Sequence, residues 1–320
     1  MDHSLKNNYS MKSYIPLTLA ALAIVALAYI GFENRQPQEA AVITATDEKI
    51  VALSTFTIIA DMVAEVGGDK VESISLTKPG AEIHGYQPTP NDLVQASKAD
   101  IMFENGMNLE VWTTKLRASI PDVPVVRVSE GVQVQYIAED AYAGKPNPHA
   151  WMSPEQGLIY VENIRKALVA QAPQHEAYFN ARAEAYSNEI RAVDKQLEES
   201  LSALPENNRV LVTCEGAFSY LTTDYGLTEE YLWAINSESQ GSPQQVAKII
   251  EVVKEKQVPA VFCESTVEPR IQQEVVAATG ARLGGVLFVD SLSDENGPAS
   301  SYLELLKHTA NTIINGLTQS

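Results

Sequence analysis

Residues 173–208, PQHEAYFNARAEAYSNEIRAVDKQLEESLSALPENN, decide the fold. Phe179, Ala183, Tyr186, Ile190, Val193, Leu197, Leu201 and Leu204 recur there at steps of 4, 3, 4, 3, 4, 4 and 3. That is one apolar stripe along a helix of about 30 residues, ended by Pro205 and Asn207-Asn208. At 1.5 Å per residue the helix is roughly 45 Å long, enough to run the length of a small domain. A coiled-coil partner face would carry the same stripe, but the sequence has a single such segment. It reads as a spine joining two lobes.

Outward from the spine, short apolar runs alternate with helical stretches. On the N-terminal side the strands are 49–54, 71–76, 101–104 and 123–128, with helices over 58–65, from Thr89-Pro90, and over 109–119. Thr89-Pro90-Asn91-Asp92 supplies an N-cap with proline at the first helical position, and Ser153-Pro154-Glu155-Gln156 reads as a capping box opening a helix to about Gln171. On the C-terminal side strands fall at 209–213, 228–233, 258–263 and within 281–289, with a helix capped at Ser242 and another from about Ser301. Such alternation indicates parallel sheets covered by helices. The expected organisation is a signal peptide or anchor over 1–45, a first lobe over 46–172, the linking helix over 173–204 and a second lobe over 205–320.

In open α/β sheets ligands bind beyond the carboxyl ends of strands. Four side chains are expected there: His84 in PGAEIHGYQP (79–88), His149 in PNPHAW (146–151), Glu215 in CEGAF (214–218) and Asp290 in FVDS (288–291). Their separations of 65, 66 and 75 residues are too wide for a zinc finger. Two imidazoles and two carboxylates are a donor set for a divalent first-row metal. Each has a plainer reading. A loop histidine is usually solvated, Glu215 would suit a helix N-terminus, and Asp290 would suit a turn. However, an acid ending a buried strand needs a partner to offset its desolvation. Of the four histidines after residue 45, His175 and His308 fall in helical stretches, while His84 and His149 sit in proline-framed loops. Asn147 and Glu82 are placed to orient the two rings.

Lys6 and Lys12 precede an apolar run from Ile15 to Ile30, short for a span of about 20 apolar residues, which reads as a secretory signal. The cleavage site is poorly marked, so an uncleaved N-terminal anchor is the alternative. No cysteine follows the run to carry a lipid. The chain has a net charge of −18, and residues 1–45 contribute equal numbers of acids and bases. There is no basic stripe to meet phosphates, which argues against nucleic acid. The two cysteines, Cys214 and Cys263, form an even count that suggests a disulfide in an exported protein. Two buried free thiols on neighbouring strands are the alternative.

Pro-His-Ala-Trp at 148–151, Glu-Gly-Ala-Phe at 215–218, Gln-Gly-Ser-Pro-Gln-Gln at 240–245 and Glu-Ser-Thr-Val-Glu-Pro at 264–269 resemble, in this order, the metal-binding proteins of ABC importers for manganese, iron and zinc. The likeness runs from about residue 48 to the end and is nearest the manganese- or iron-binding branch. The cysteines at 214 and 263 look like the pair of its cyanobacterial manganese-binding member. The resemblance implies four-stranded parallel lobes joined by one long rigid helix. It also implies His84, His149, Glu215 and Asp290 as ligands, and a periplasmic protein serving a membrane permease with a separate ATPase. Gln87 departs from the family, where relatives often carry an acid, and there is no Asp- and His-rich insertion of the zinc-specific kind.

The donor set itself favours Mn²⁺ or Fe²⁺, whose taste is for carboxylate oxygen, although Zn²⁺ binds such sites at least as tightly. A metal hydrolase would need an open coordination position and a general base. The sequence has no His-Glu-x-x-His, Gly-x-Ser-x-Gly or Walker A pattern, so no enzyme is expected. A binder of a larger chelate, or an adhesin with a structural metal, are the remaining classes.

Overall fold

The protein is described by a computed structural model over residues 48–235 and 241–318; the N-terminal segment read as a signal or anchor, and Gln240, lie outside these. Four parallel strands open the fold: β1 (Ile50–Ser54), β2 (Val71–Ser75), β3 (Ile101–Glu104) and β4 (Val125–Arg127), in the order β2-β1-β3-β4. Helices α1 (Thr57–Gly67), α2 (Pro90–Ala96) and α3 (Thr113–Ala118) connect them. The central strands β1 and β3 are buried on both faces, as parallel strands covered by helices must be, while the edge strands β2 and β4 are half-buried. Ile50, Ala52, Ile101 and Phe103 face one apolar core, and Leu53 and Met102 face another.

After β4 the chain runs irregularly to His149, then through α4 (Pro154–Gln171) into α5 (Glu176–Ser202). Phe179, Ala183, Tyr186, Ile190, Val193, Leu197 and Leu201 are the buried residues of α5, the stripe seen in the sequence. The helix has 27 residues, or ~40 Å. It packs against α1 and α4, and also against α6 (Ser219–Tyr225) and α9 (Tyr302–Thr318). One continuous core therefore reaches from β1 and β3 to Leu211, Phe262 and Leu305 of the second half.

That second half holds β5 (Val210–Glu215), β6 (Thr228–Trp233), β7 (Ala260–Glu264) and β8 (Arg282–Leu287), with α7 (Pro243–Glu255) and α8 (Arg270–Thr279) outside. The four strands form two hydrogen-bonded parallel pairs, β5-β6 and β7-β8. β5 and β7 lie side by side, and the Glu215 N–H at their seam donates to the Glu264 carboxylate (3.2 Å). A Cys214–Cys263 disulfide staples the seam, with Cα atoms 5.0 Å apart. Closing a loop of that length contributes roughly 4 kcal/mol in the chain-entropy model.

The caps are partly as read. Thr89 and Ser242 form complete capping boxes with Asp92 and Gln245. Ser153 accepts from the Gln156 N–H, but its own N–H donates to Ala150 O (3.1 Å), so this box is only half made. The return of the chain is bonded to its start. The Leu292 N–H donates to Thr57 Oγ1 (2.9 Å) and the Tyr302 N–H to Asp61 Oδ2 (2.8 Å).

Candidate metal centre

All four sequence-selected side chains meet. One donor atom from each of His84, His149, Glu215 and Asp290 lies within 4.8 Å of every other. His84 Nε2 is 3.2 Å from His149 Nε2, 3.3 Å from Glu215 Oε1 and 3.7 Å from Asp290 Oδ1. His149 Nε2 is 3.5 Å from Glu215 Oε1 and 3.8 Å from Asp290 Oδ1. Four ligands about 2.1 Å from a central ion in a tetrahedron stand about 3.4 Å apart. The observed separations bracket that figure. His149, Glu215 and Asp290 are fully buried, and His84 faces a cavity of about 830 Å³ bordered by Glu82, Met107, Tyr142, Lys145 and Trp233.

Each ligand loop is held by its own local device. His84 lies between β2 and α2, where Glu82 accepts the N–H groups of His84 (2.6 Å) and Gly85 (2.8 Å), and Trp112 Nε1 donates to Ile83 O (3.0 Å). Glu82 thus shapes the turn and does not orient the ring, contrary to the sequence expectation. His149 does not follow a strand closely, since β4 ends at Arg127; it precedes a 3-10 turn, Ala150–Met152. Its ring is oriented by Asn147, whose Oδ1 lies 2.8 Å from Nδ1, and Asn105 Nδ2 grips the neighbouring Pro148 O (3.1 Å).

Glu215 is the last residue of β5, and α6 begins only at Ser219, so helix-terminus capping does not account for it. A Cβ on Gly216 would lie 2.9 Å from the Tyr231 ring, so glycine lets the chain turn tightly against β6. Asp290 follows β8 by three residues and lies far ahead of α9. Its loop is tied to the His84 loop by Gly80 N–H donating to Ser291 Oγ (2.7 Å), and to the His149 loop by Trp151 Nε1 donating to Val289 O (3.0 Å).

Electrostatics separate the two imidazoles. Burial disfavours a charged His84, but its hydrogen bond to Glu215 and the charges of Asp290, Glu215 and Glu82 outweigh this and raise its pKa to about 9. Burial lowers His149 to about 4; Glu215 opposes the shift and His84 reinforces it. The metal-free site at neutral pH therefore pairs a charged His84, bonded to Glu215, with a neutral His149.

The sequence reading passed over Glu264. Burial, then the charge of Glu215, pushes its carboxyl well above the usual range, and its Oε1 has no hydrogen-bond partner among the described residues. It ends β7 as Glu215 ends β5, so the same signal pointed to it. Glu110 was also passed over; it accepts from Thr55, Asn105 and Gly106 and braces the left-handed turn at Gly106, Met107 and Asn108 beside the cavity.

Comparison with known proteins places this geometry among metal carriers. The family model described as "ZnuA: Zinc-uptake complex component A periplasmic" matches residues 52–316. The iron-binding protein YfeA of Yersinia pestis is 51% identical over 274 residues, covering 86% of this chain and 88% of that protein. The manganese ABC transporter substrate-binding lipoprotein PsaA of Streptococcus anginosus is 31% identical, covering 97% and 100%. Among solved structures, the Mn-bound periplasmic metal-binding protein of Candidatus Liberibacter asiaticus matches with a TM-score of 0.78 at 35% identity, covering 84% of this chain and all of that one. The periplasmic zinc-binding protein TroA of Treponema pallidum matches with a TM-score of 0.79 at 25% identity, covering 85% and 100%.

Proposed function

Since this chain belongs to the ZnuA family of metal-binding substrate-binding proteins of ABC importers, which are not enzymes, we propose that it captures one Mn²⁺ ion and hands it to a permease. The ligands are His84, His149, Glu215 and Asp290. The observation that carries this reading is the convergence of two imidazole nitrogens and two carboxylates within 4.8 Å, three of the four side chains being fully buried. Buried acids at such density call for a cation.

Manganese is favoured over zinc by donor chemistry. Both cysteines are in the disulfide, so no thiolate is available, and two acids offer up to four oxygens to an ion that accepts six donors. Relatives named for manganese and for iron make Fe²⁺ the nearest competitor, with Zn²⁺ next. The lobes are taken as residues 46–172 and 205–320, with 173–204 as the linking helix. The protein works in the periplasm, with residues 1–45 as a signal or an uncleaved inner-membrane anchor. Its partners are a permease and a separate ATPase.

The test is titration of metal-stripped protein with Mn²⁺, Fe²⁺ and Zn²⁺ beside His149→Ala and Asp290→Asn. One ion per chain is expected, with Mn²⁺ affinity falling at least 100-fold in both variants. Unchanged Mn²⁺ affinity in His149→Ala would overturn the ligand assignment.

A further inference from the structure

The second half of the chain reaches across to His149 through a run of hydrogen bonds whose direction is fixed at every step. Asn147 Nδ2 lies 2.7 Å from Gly216 O, a carbonyl that can only accept, so the amide nitrogen must face it. Its Oδ1 then faces the other way, where it accepts from the His149 backbone N–H (3.1 Å). An amide oxygen has no proton to give. His149 Nδ1, 2.8 Å away, must therefore be the donor, and Nε2 is left with its lone pair toward the centre. Asn147 Nδ2 also donates to Ser219 Oγ (3.0 Å), and Ser219 Oγ donates to Glu229 Oε2 (2.5 Å). Glu229 Oε1 accepts from the Phe218 N–H (2.8 Å). With Glu229 ionised, the Ser219 hydroxyl and the Phe218 N–H both point to its carboxylate, away from the candidate centre.

The same short segment holds the backbone of the loop. Tyr220 Oη donates to Asn147 O (2.8 Å) and accepts from the Gln135 N–H (3.2 Å). Ser219 and Tyr220 begin α6, and Glu229 lies on β6, so these contacts cross from one half to the other. Asn147, Ser219 and Glu229 also share the wall of a second cavity, of about 320 Å³, on which Lys248 and Glu139 form an ion pair.

We propose that Ser219 and Glu229 are positioning residues for His149: they steady the Asn147 amide that, set by Gly216 O, keeps the ring in the Nδ1–H form, and so make its hold on the ion depend on contact between the two halves. The inference rests on His149 being a ligand. Partners behind a ligating histidine fix its tautomer and raise its basicity, and their loss typically costs 10- to 100-fold in metal affinity. Here the partners lie in the half opposite the histidine's own.

The experiment compares Ser219→Ala, Glu229→Gln and Ser219→Thr with the parent, reading Mn²⁺ affinity by competition and the His149 ring by ¹⁵N NMR of the metal-free protein. A Nδ1–H signal is expected in the parent. In Ser219→Ala and Glu229→Gln the Nδ1–H signal should broaden as Asn147 loosens, with affinity lower by about tenfold and the metal-free melting temperature preserved. Ser219→Thr, which keeps the hydroxyl, should bind as the parent does. A parent ring in the Nε2–H form, parental affinity in both variants, or a Ser219→Thr as weak as Ser219→Ala would overturn the inference. Loss of binding in His149→Ala, with the first two variants unaffected, would sink this inference and leave the metal site standing.

Discussion

His84 carries the proton chemistry of the site. With its pKa at about 9 and that of His149 at about 4, the metal-free protein between those values holds one proton that the metal-bound protein cannot keep. Isothermal titration at pH 7 in buffers of differing ionisation heat should report about one proton released per ion, and affinity should rise about tenfold per pH unit up to pH 9. The same shift has the opposite effect on the metal-free fold. A folded-state pKa raised above the unfolded value of 6.5 contributes stability that is complete below pH 6.5 and is lost as pH rises through 9. Metal-free protein should thus melt lower at pH 9 than at pH 7, and this loss should shrink when metal is bound. At this scale the sequence was legible only in part. The rule that an acid ending an apolar strand needs a partner selects Glu104, Glu215 and Glu264 alike. Glu104 is answered by Arg117 and Arg127, and Glu264 serves the Glu215 N–H. Nothing in the spacing tells the three apart, because their partners come from remote segments. Asn147 was legible beside His149 in sequence; Ser219 and Glu229, 70 residues and more away, were not.

Among the elements, the junction of α4 and α9 controls the two ligand loops. Tyr302 Oη donates to Trp151 O (2.6 Å), and Trp151 Nε1 donates to the carbonyl preceding Asp290. Gly157 makes room for that hydroxyl: a Cβ there would stand 2.2 Å from Tyr302 Oη. Gly157→Ala should destabilise the protein by about 1–3 kcal/mol, the usual cost of overpacking, measured by urea unfolding. A change below a few tenths would show that the helices can part freely. Element type was readable from periodicity and caps, and Thr228–Trp233 matches its strand to the residue. Boundaries drifted where a turn competes with a helix. The stretch 109–119 is helical only from Thr113, because Glu110 draws the preceding residues into the left-handed turn that it braces.

For the molecule as a whole, α5 limits how the halves can move. Its stripe is buried along its length, so rotation about it would expose core shared by both halves. Spin labels at the exposed Lys98 and Lys254 should change their separation on metal loading by about 2 Å, the scale of packed-helix shifts. A change of many ångströms would instead mean hinge closure. The long helix was legible because it must declare its buried face every third or fourth residue. The four-stranded second sheet that was expected is instead two pairs, β5-β6 and β7-β8, a detail of hydrogen bonding that apolar periodicity does not carry.

The bonds from Leu292 to Thr57 and from Tyr302 to Asp61 span 235 and 241 positions of the chain. A polypeptide made from its N-terminus cannot complete the surroundings of α1 until Leu292 and Tyr302 have emerged. The proposed metal centre must wait for nearly the same moment, because Asp290 stands two residues before Leu292.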